Sequence, residues 1–183
     1  DIGGGTTEIA VIALNDIVCL KTIKNAGDRQ TELIIKWLHE HHQLEIGLKT
    51  SEDIKKSVGS AIKLHSEKFY VTGKDITSGL PHKLQISTDE ITKALHPAVD
   101  DITEAIKHAL DKTPPEHATD IQSHGIILTG GGSLLQGLDI YIRNKTNLPV
   151  NVSEDPLLTI VKGTGMVLDN IDEYNKKIIL INT

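Results

Sequence analysis

The 183-residue sequence predicts an α/β fold, and three observations carry that prediction. Two β-branched runs flank an Asn-Asp pair near the start. Amphipathic stretches of helical period follow, and two of them open on capping signals. The last third alternates short apolar runs with helical ones in a βαβα rhythm.

In order, Glu8 to Leu14 is rich in Ile, Val and Ala and reads as a strand. Asn15-Asp16 reads as a hairpin turn and Ile17 to Ile23 as the returning strand. Gly27-Asp28 starts a helix with Asp28 as N-cap, and Leu33, Ile34, Trp37, Leu38 and His41 share one face. Thr50 and Asp53 fit a capping box for a second helix, with Ile54 and Val58 as its buried stripe. Between 68 and 86, Phe69-Tyr70-Val71 and Lys83 to Ile86 are short β-like runs, separated by Gly73, Gly79 and Pro81. Ser87 to Glu90 is a further capping box and opens the longest helix, apolar at Ile91, Leu95, Val99, Ile102, Ile106 and Leu110. Pro97 inside that pattern should kink or split it, and Pro114-Pro115 marks its end. Ile126-Ile127-Leu128 is a short buried strand and Gly130-Gly131-Gly132 a tight loop. Ser133 then caps a helix carrying Leu134, Leu135, Leu138 and Ile142. Pro149 to Val152 is another strand, and Asp155-Pro156 opens a helix running through Val161 to Leu168.

Composition narrows the function classes. Hydrophobic residues make up 38% and charged ones 24%, with a net charge of −6 and no basic block, so nucleic acid is not an expected partner. No apolar run approaches the roughly 20 residues of a membrane span, and no signal peptide is visible, so a cytoplasmic location is expected. The single cysteine, Cys19, excludes an internal disulfide framework and reads as a small core residue. The chain opens at Asp1 on a glycine-rich motif with no strand before it. A phosphate loop needs the strand that feeds it, so the sequence is expected to be the later part of a larger protein.

That motif, Asp1-Ile2-Gly3-Gly4-Gly5-Thr6-Thr7-Glu8, carries the first chemical signal. Three glycines let the backbone turn tightly and present N–H groups to an anion. Thr6 and Thr7 add hydroxyl donors suited to phosphate oxygens, and Asp1 is an acceptor suited to Mg²⁺ or its waters. The same residues also fit a glycine-rich turn without a ligand. Thr129-Gly130-Gly131-Gly132-Ser133 is the second signal, placing bare backbone beside a helix start, where a phosphate or a flat base can pack. It is neither a Walker A motif nor a dinucleotide fingerprint, since no Gly-Lys-Ser/Thr follows and Leu135 stands where a third glycine belongs. Two such loops at strand ends favour a nucleotide site. Taken alone, the charged run Glu52-Asp53-Ile54-Lys55-Lys56 reads as a solvated helix face. His39-Glu40-His41-His42 lacks the His-Glu-x-x-His spacing and an obvious third ligand, and His41 falls on the apolar stripe.

Asp1 to Glu8 resembles the second phosphate loop of the actin, Hsp70 and sugar-kinase superfamily. Ile126 to Gly137, with its Leu-Thr-Gly-Gly-Gly-Ser-Leu-Leu core, resembles that superfamily's adenosine loop. Ala26-Gly27-Asp28, Glu45-Ile46-Gly47, Ser78-Gly79-Leu80-Pro81, Lys112 to Glu116, Glu154 to Leu157 and Lys162 to Gly165 narrow the resemblance to the MreB family of bacterial actins. It runs from residue 1 to about residue 170 and omits the tail from Ile171.

The resemblance implies the second lobe of an actin-like fold. Residues 1–40 and 113–183 would form a ribonuclease H-like large subdomain, residues 41–112 a small inserted α+β subdomain, and the N-terminal lobe would lie outside this chain. It implies ATP and Mg²⁺ as cofactors, with Gly3, Gly4, Gly5 and Thr6 on the phosphates and Asp1 near the metal. Thr6 or Thr7 would lie near the attacking water. Glu52, Asp53, Ile54 and Lys55 would flank the ribose and adenine, with Gly131, Gly132, Ser133 and Leu134 closing the other side. Two residues after the helix lysine the resemblance implies Glu, and this chain has Ser57. For the whole protein it implies filaments of many copies at the inner face of the cell membrane, guiding wall elongation and rod shape with cell-wall proteins. Membrane contact and half of the ATPase cleft would belong to the other lobe. An Hsp70-like or sugar-kinase-like ATPase, or a non-catalytic nucleotide-binding module, fits the same loops.

Overall fold

The computed structural model describes residues 1–13 and 16–171. Thirteen elements follow one another: β1 (Thr7–Ala13), β2 (Asp16–Ile23), α1 (Gly27–His42), β3 (Leu44–Glu45), α2 (Leu48–Val58), β4 (Lys68–Asp75), β5 (Pro81–Ser87), α3 (Thr88–Asp111), α4 (Ala118–His124), β6 (Ile126–Leu128), α5 (Leu138–Thr146), β7 (Val150–Val152) and α6 (Thr159–Asp169). The strands form three small sheets. β1 and β2 are the expected hairpin, paired antiparallel from Thr7↔Ile23 to Ala13↔Asp16 with a bulge at Val11/Ile12. Asn15 of the expected turn lies outside the described residues. β3, β4 and β5 form an antiparallel sheet. β6 and β7 pair in parallel across α5, the expected βα rhythm.

Several local expectations are corrected. Asp28 does not cap α1. The cap position is Ala26 and contributes no side-chain bond, because the Gly27 and Asp28 amides donate instead to the carbonyls of Gly3 and Gly4. Thr50 and Asp53 lie inside α2, which begins at Leu48 after Gly47. Gly73 sits within β4 rather than ending it, where β3 passes too closely for a side chain. Pro97 does not split α3, which runs unbroken for 24 residues. The proline is exposed, while Ala94, Leu95, Ala98 and Val99 around it are buried, so packing on both sides holds the helix across the missing N–H. Ser133 caps no α-helix. Residues Gly131–Leu134 form a 3₁₀ turn, and α5 starts only after Gly137. The last helix starts at Thr159 rather than at Asp155-Pro156.

The Ser87–Glu90 capping box is present as expected: each side chain serves the other residue's backbone. α3 is the structural spine. It packs on α1, β1, β2 and α5 and also reaches α2 and β5. One cluster of buried apolar residues runs from Ile2, Leu128, Leu138 and Val150 through Ile91, Leu95, Val99 and Ile102 to Leu44, Val71 and Ile86.

Candidate functional site

Residues Asp1 to Thr6 leave the sheet at one end of β1 and turn back on themselves. Asp1 and Glu8 exchange two backbone hydrogen bonds of 2.8 Å, and the Gly3 N–H donates to Thr6 O at 3.0 Å. Gly4, Gly5 and Thr6 form the exposed tip. Among the described residues, their amides find no backbone partner. Three neighbouring N–H groups without a backbone partner on a bare turn are donors available to an anion. Thr6 stands at this tip. Thr7 does not: it is 2% exposed and its hydroxyl donates to the Asn25 carbonyl at 2.6 Å, which corrects the expectation of a free hydroxyl there.

The second glycine loop lies against the first. Ile2 donates to Thr129 O at 2.8 Å and Gly132 donates to Ile2 O at 2.7 Å. Asp1 is held against Gly130, where a Cβ would stand 2.2 Å from its Oδ1, and Gly132 is pressed on the Ile2 side chain. The amides of Gly130, Gly132 and Ser133 are all spent within the protein, and the Ser133 hydroxyl donates to Gly130 O at 2.7 Å. Of the two uses the sequence leaves open for this loop, a phosphate or a flat base, the spent amides favour flat packing, with Gly131 and Leu134 exposed on the loop.

The third piece is α2. Glu52 receives Thr31 Oγ1 at 2.7 Å, Lys55 Nζ at 2.6 Å and Lys56 Nζ at 3.2 Å. Burial by itself would raise the Glu52 carboxyl, but these hydrogen bonds outweigh it and hold the group down at about 2. Ile54 is buried as the stripe requires, and Asp53 faces solvent. α2 is tied to the second loop beyond its end, where Ala61 N and Ser60 Oγ both donate to Gln136 O. Ser57 bonds back to its own helix at Asp53 O.

A groove of about 540 Å³, lined by Asp28, Thr31, Glu32, Leu48, Lys49 and Glu52, opens between α1 and α2. The Asp28 carboxylate connects it to the loop tip, since it lies 3.8 Å from where a Cβ on Gly4 or Gly5 would be. A larger hollow of about 670 Å³ sits between β2 and α3, among Lys21, Asn25, Asp101 and His108, with no glycine-loop residue in its lining. The groove beside the loops is the one that matters for the site, because volume alone does not supply free donors. Gly27 and Asp28, which the sequence marks as a helix start and as part of a family motif, join the site together with Thr31, which the sequence does not single out. Their spacing places Gly27 and Thr31 one turn apart, but nothing in it says that this face meets α2. Among the described residues no group of three or more His, Cys, Asp or Glu side chains is placed to hold a metal. His41 stacks on Trp37 and His42 bonds to Glu90, so these two histidines are used within the fold.

A family model described as MreB/Mbl protein matches residues 1–176. The chain belongs to the MreB/Mbl family. It is 42% identical over 178 residues to the cell shape-determining protein Mbl of Bacillus cereus, covering 97% of this chain and 54% of that relative. Among solved structures, MreB5 of Spiroplasma citri bound to ADP superposes with a TM-score of 0.91 at 39% identity, over 97% of this chain and 54% of the other. The same protein bound to AMPPNP gives 0.90 at 38%, over 96% and 53%. A MamK double helical filament superposes at 0.67 with 25% identity, over 86% of this chain and 49% of that one. The expected actin-like fold is thereby borne out. The chain spans about half the length of the curated MreB/Mbl relatives it matches.

Proposed function

We propose that this chain is the C-terminal, nucleotide-binding half of a bacterial actin. In this reading the full-length protein binds ATP with Mg²⁺, assembles into filaments of its own copies, and determines cell shape. The observation that carries it is the exposed Gly4-Gly5-Thr6 tip, whose three amides have no backbone partner among the described residues, beside a second glycine loop and the α1–α2 groove that carries Glu52. Membership of the MreB/Mbl family, the nucleotides in the Spiroplasma relative and the MamK filament support it.

In this site Gly4, Gly5 and Thr6 would receive the β- and γ-phosphates. The ribose would sit toward Glu52, whose hydrogen bonds from Thr31, Lys55 and Lys56 hold its carboxyl down at about 2, and the adenine toward Gly131, Gly132 and Leu134. Asp1, half-buried with its carboxylate beside Gly130, is the residue that would hold Mg²⁺ in this reading, with phosphate oxygens and water completing the sphere. When bound, Mg²⁺ supplies charge neutralisation on the phosphate oxygens. The other contributions are positional: the loop fixes the phosphates, α2 the sugar, and the difference between ATP and ADP contacts biases assembly. In this reading the filaments work with wall-elongation proteins at the inner membrane face, and membrane contact would involve the other lobe. No helix among the described residues is long and apolar enough to cross a membrane.

The test is sedimentation of the full-length protein with ATP–Mg²⁺, ADP–Mg²⁺ or no nucleotide, beside a Thr6→Ala, Glu52→Ala variant. Nucleotide-dependent pelleting that the variant loses is the expected result. Tight ATP binding without pelleting would shift the reading to a kinase or chaperone ATPase, and no binding would leave only the fold.

A further inference from the structure

β4 alternates its side chains across the β3–β4–β5 sheet, so Val71 turns into the core while Lys68, Tyr70, Thr72 and Lys74 share the opposite, exposed face. The pairing register carries that face onto the neighbouring strands. Lys83 stands opposite Thr72, Gln85 opposite Tyr70, and Glu45 of β3 opposite Lys74. Side-chain contacts agree: Lys83 Nζ lies 4.7 Å from the centre of the Tyr70 ring, and Lys74 Nζ lies 3.6 Å from Glu45 Oε2. Lysines that are scattered along the sequence at 68, 74 and 83 are thus gathered by the sheet onto one side. Three cations and the one anion, Glu45, sum to +2 on this face, in a chain of net charge −6. Of the three lysines only Lys74 has a carboxylate within ion-pair reach among the described residues.

The chemistry of the face narrows what can cover it. Lys68 and Lys74 stand about 20 Å apart along β4, too far to clasp one small anion. Neither the groove beside the glycine loops nor the hollow at β2 and α3 has a residue of this face in its lining, so neither offers a peptide chain a cleft here. The face carries no Arg, whose planar fork suits a single carboxylate or phosphate; ammonium groups on flexible stems suit many anions at no fixed spacing. Tyr70, 61% exposed, has an apolar ring and a polar tip, as side chains at a lipid–water boundary do. We propose that this face of the β3–β4–β5 sheet docks on an anionic lipid bilayer, with Lys68, Lys74 and Lys83 on the headgroups and Tyr70 among them. The contact belongs to this half of the protein and is separate from any that the other lobe makes. Each lysine near such a surface strengthens binding about fivefold, so three strengthen it about a hundredfold, too little to hold one copy firmly. In a filament the contacts of many copies act together, and that multiplication rests on the filament reading above.

Flotation of the full-length protein with vesicles tests this, using phosphatidylcholine alone or mixed in equal parts with phosphatidylglycerol. The unaltered protein is compared with a Lys68→Gln, Lys74→Gln, Lys83→Gln variant, and with a variant carrying Arg at the same three positions. The unaltered protein should prefer the anionic vesicles, and the Gln variant should bind them about tenfold or more weakly at about 0.05 M salt. The difference should close at about 0.5 M salt, and the Arg variant, which keeps the charge, should bind like the unaltered protein. Pelleting with ATP–Mg²⁺ in the absence of vesicles should be the same for all three, since none of these lysines lies in a glycine loop or in the groove. A Gln variant that floats as well as the unaltered protein overturns the proposal, and so does binding that ignores the anionic lipid. A Gln variant that no longer pellets without vesicles would make the face a contact between copies, which also overturns it. Poly-glutamate held as tightly as the anionic vesicles would assign the face to an acidic protein segment instead. An unaltered protein that never pellets fails the filament reading, and the variants on vesicles still decide the face.

Discussion

Gly130 is the residue on which the two glycine loops close. Its φ of +81° lies in the left-handed region, and a Cβ there would stand 2.2 Å from Asp1 Oδ1 and 2.5 Å from Ile2 O. Gly130→Ala should therefore cost about 2–3 kcal/mol, combining left-handed strain with displacement of backbone that has nowhere to go. Gly131→Ala is the contrast: its Cβ would meet only the Leu157 Cδ2 at 3.1 Å, the end of a side chain that can turn. Urea denaturation of the two variants should separate them clearly, and equal midpoints would mean that the Asp1–Ile2 segment yields easily. At this scale the sequence was partly legible. Glycine runs beside apolar strands announce loops that need bare backbone, and both loops stand where the spacing put them. What spacing cannot report is which amides remain free. Gly130, Gly132 and Ser133 turned out to spend theirs on Ile2, Pro156 and their own turn, and Thr7 spends its hydroxyl on Asn25.

Between elements, the contact of α1 with α2 depends on an ionised Glu52. Its carboxyl lies at about 2 in the folded chain against an ordinary 4.5. A lowered folded value means that the unfolded chain binds the proton first as pH falls. The stabilisation is thus fully present above about 4.5 and is lost progressively down to about 2. Its size is modest because the side chain is 35% exposed and screened by water. The difference in thermal midpoint between the unaltered chain and Glu52→Gln should be flat from pH 8 to about 5 and shrink below that. A difference that instead grew on acidification would refute the ion pair as its source. The sequence showed α2 as a charged helix and could not orient it, because a run of charges fits a solvated face equally well. Helix starts show the same limit. The Ser87–Glu90 box was legible because its partners are three residues apart. Asp28 and Thr50 were misread as caps because the groups that do the work, the Gly3 and Gly4 carbonyls and Gly47, are distant in sequence or lack a side chain.

For the whole molecule, the resemblance places residues 41–112 as an inserted subdomain, and the packing determines whether that part melts separately. α3 lies within this stretch by sequence, yet it packs on β1, β2 and α5 as well as on α2 and β5. The buried cluster is continuous through Ile91, Leu95, Val99 and Ile102, so neither side can lose its contacts without exposing the other's. Unfolding of this chain should accordingly be a single transition. Far-UV circular dichroism and the fluorescence of Trp37, the one tryptophan, should trace coincident curves in urea. Ile102, fully buried, should cost about 2–5 kcal/mol as Ile102→Ala and move both curves together. Ile160 on α6, a helix with no buried residue, is 55% exposed, and Ile160→Ala should stay within about 0.5 kcal/mol. If Ile102→Ala shifted the ellipticity and left the tryptophan curve in place, α1 would melt apart from the spine. The continuous core would then be two cores in contact, with α1 and α2 held together by the Ser51–Thr31 and Lys55–Gly27 hydrogen bonds rather than by α3.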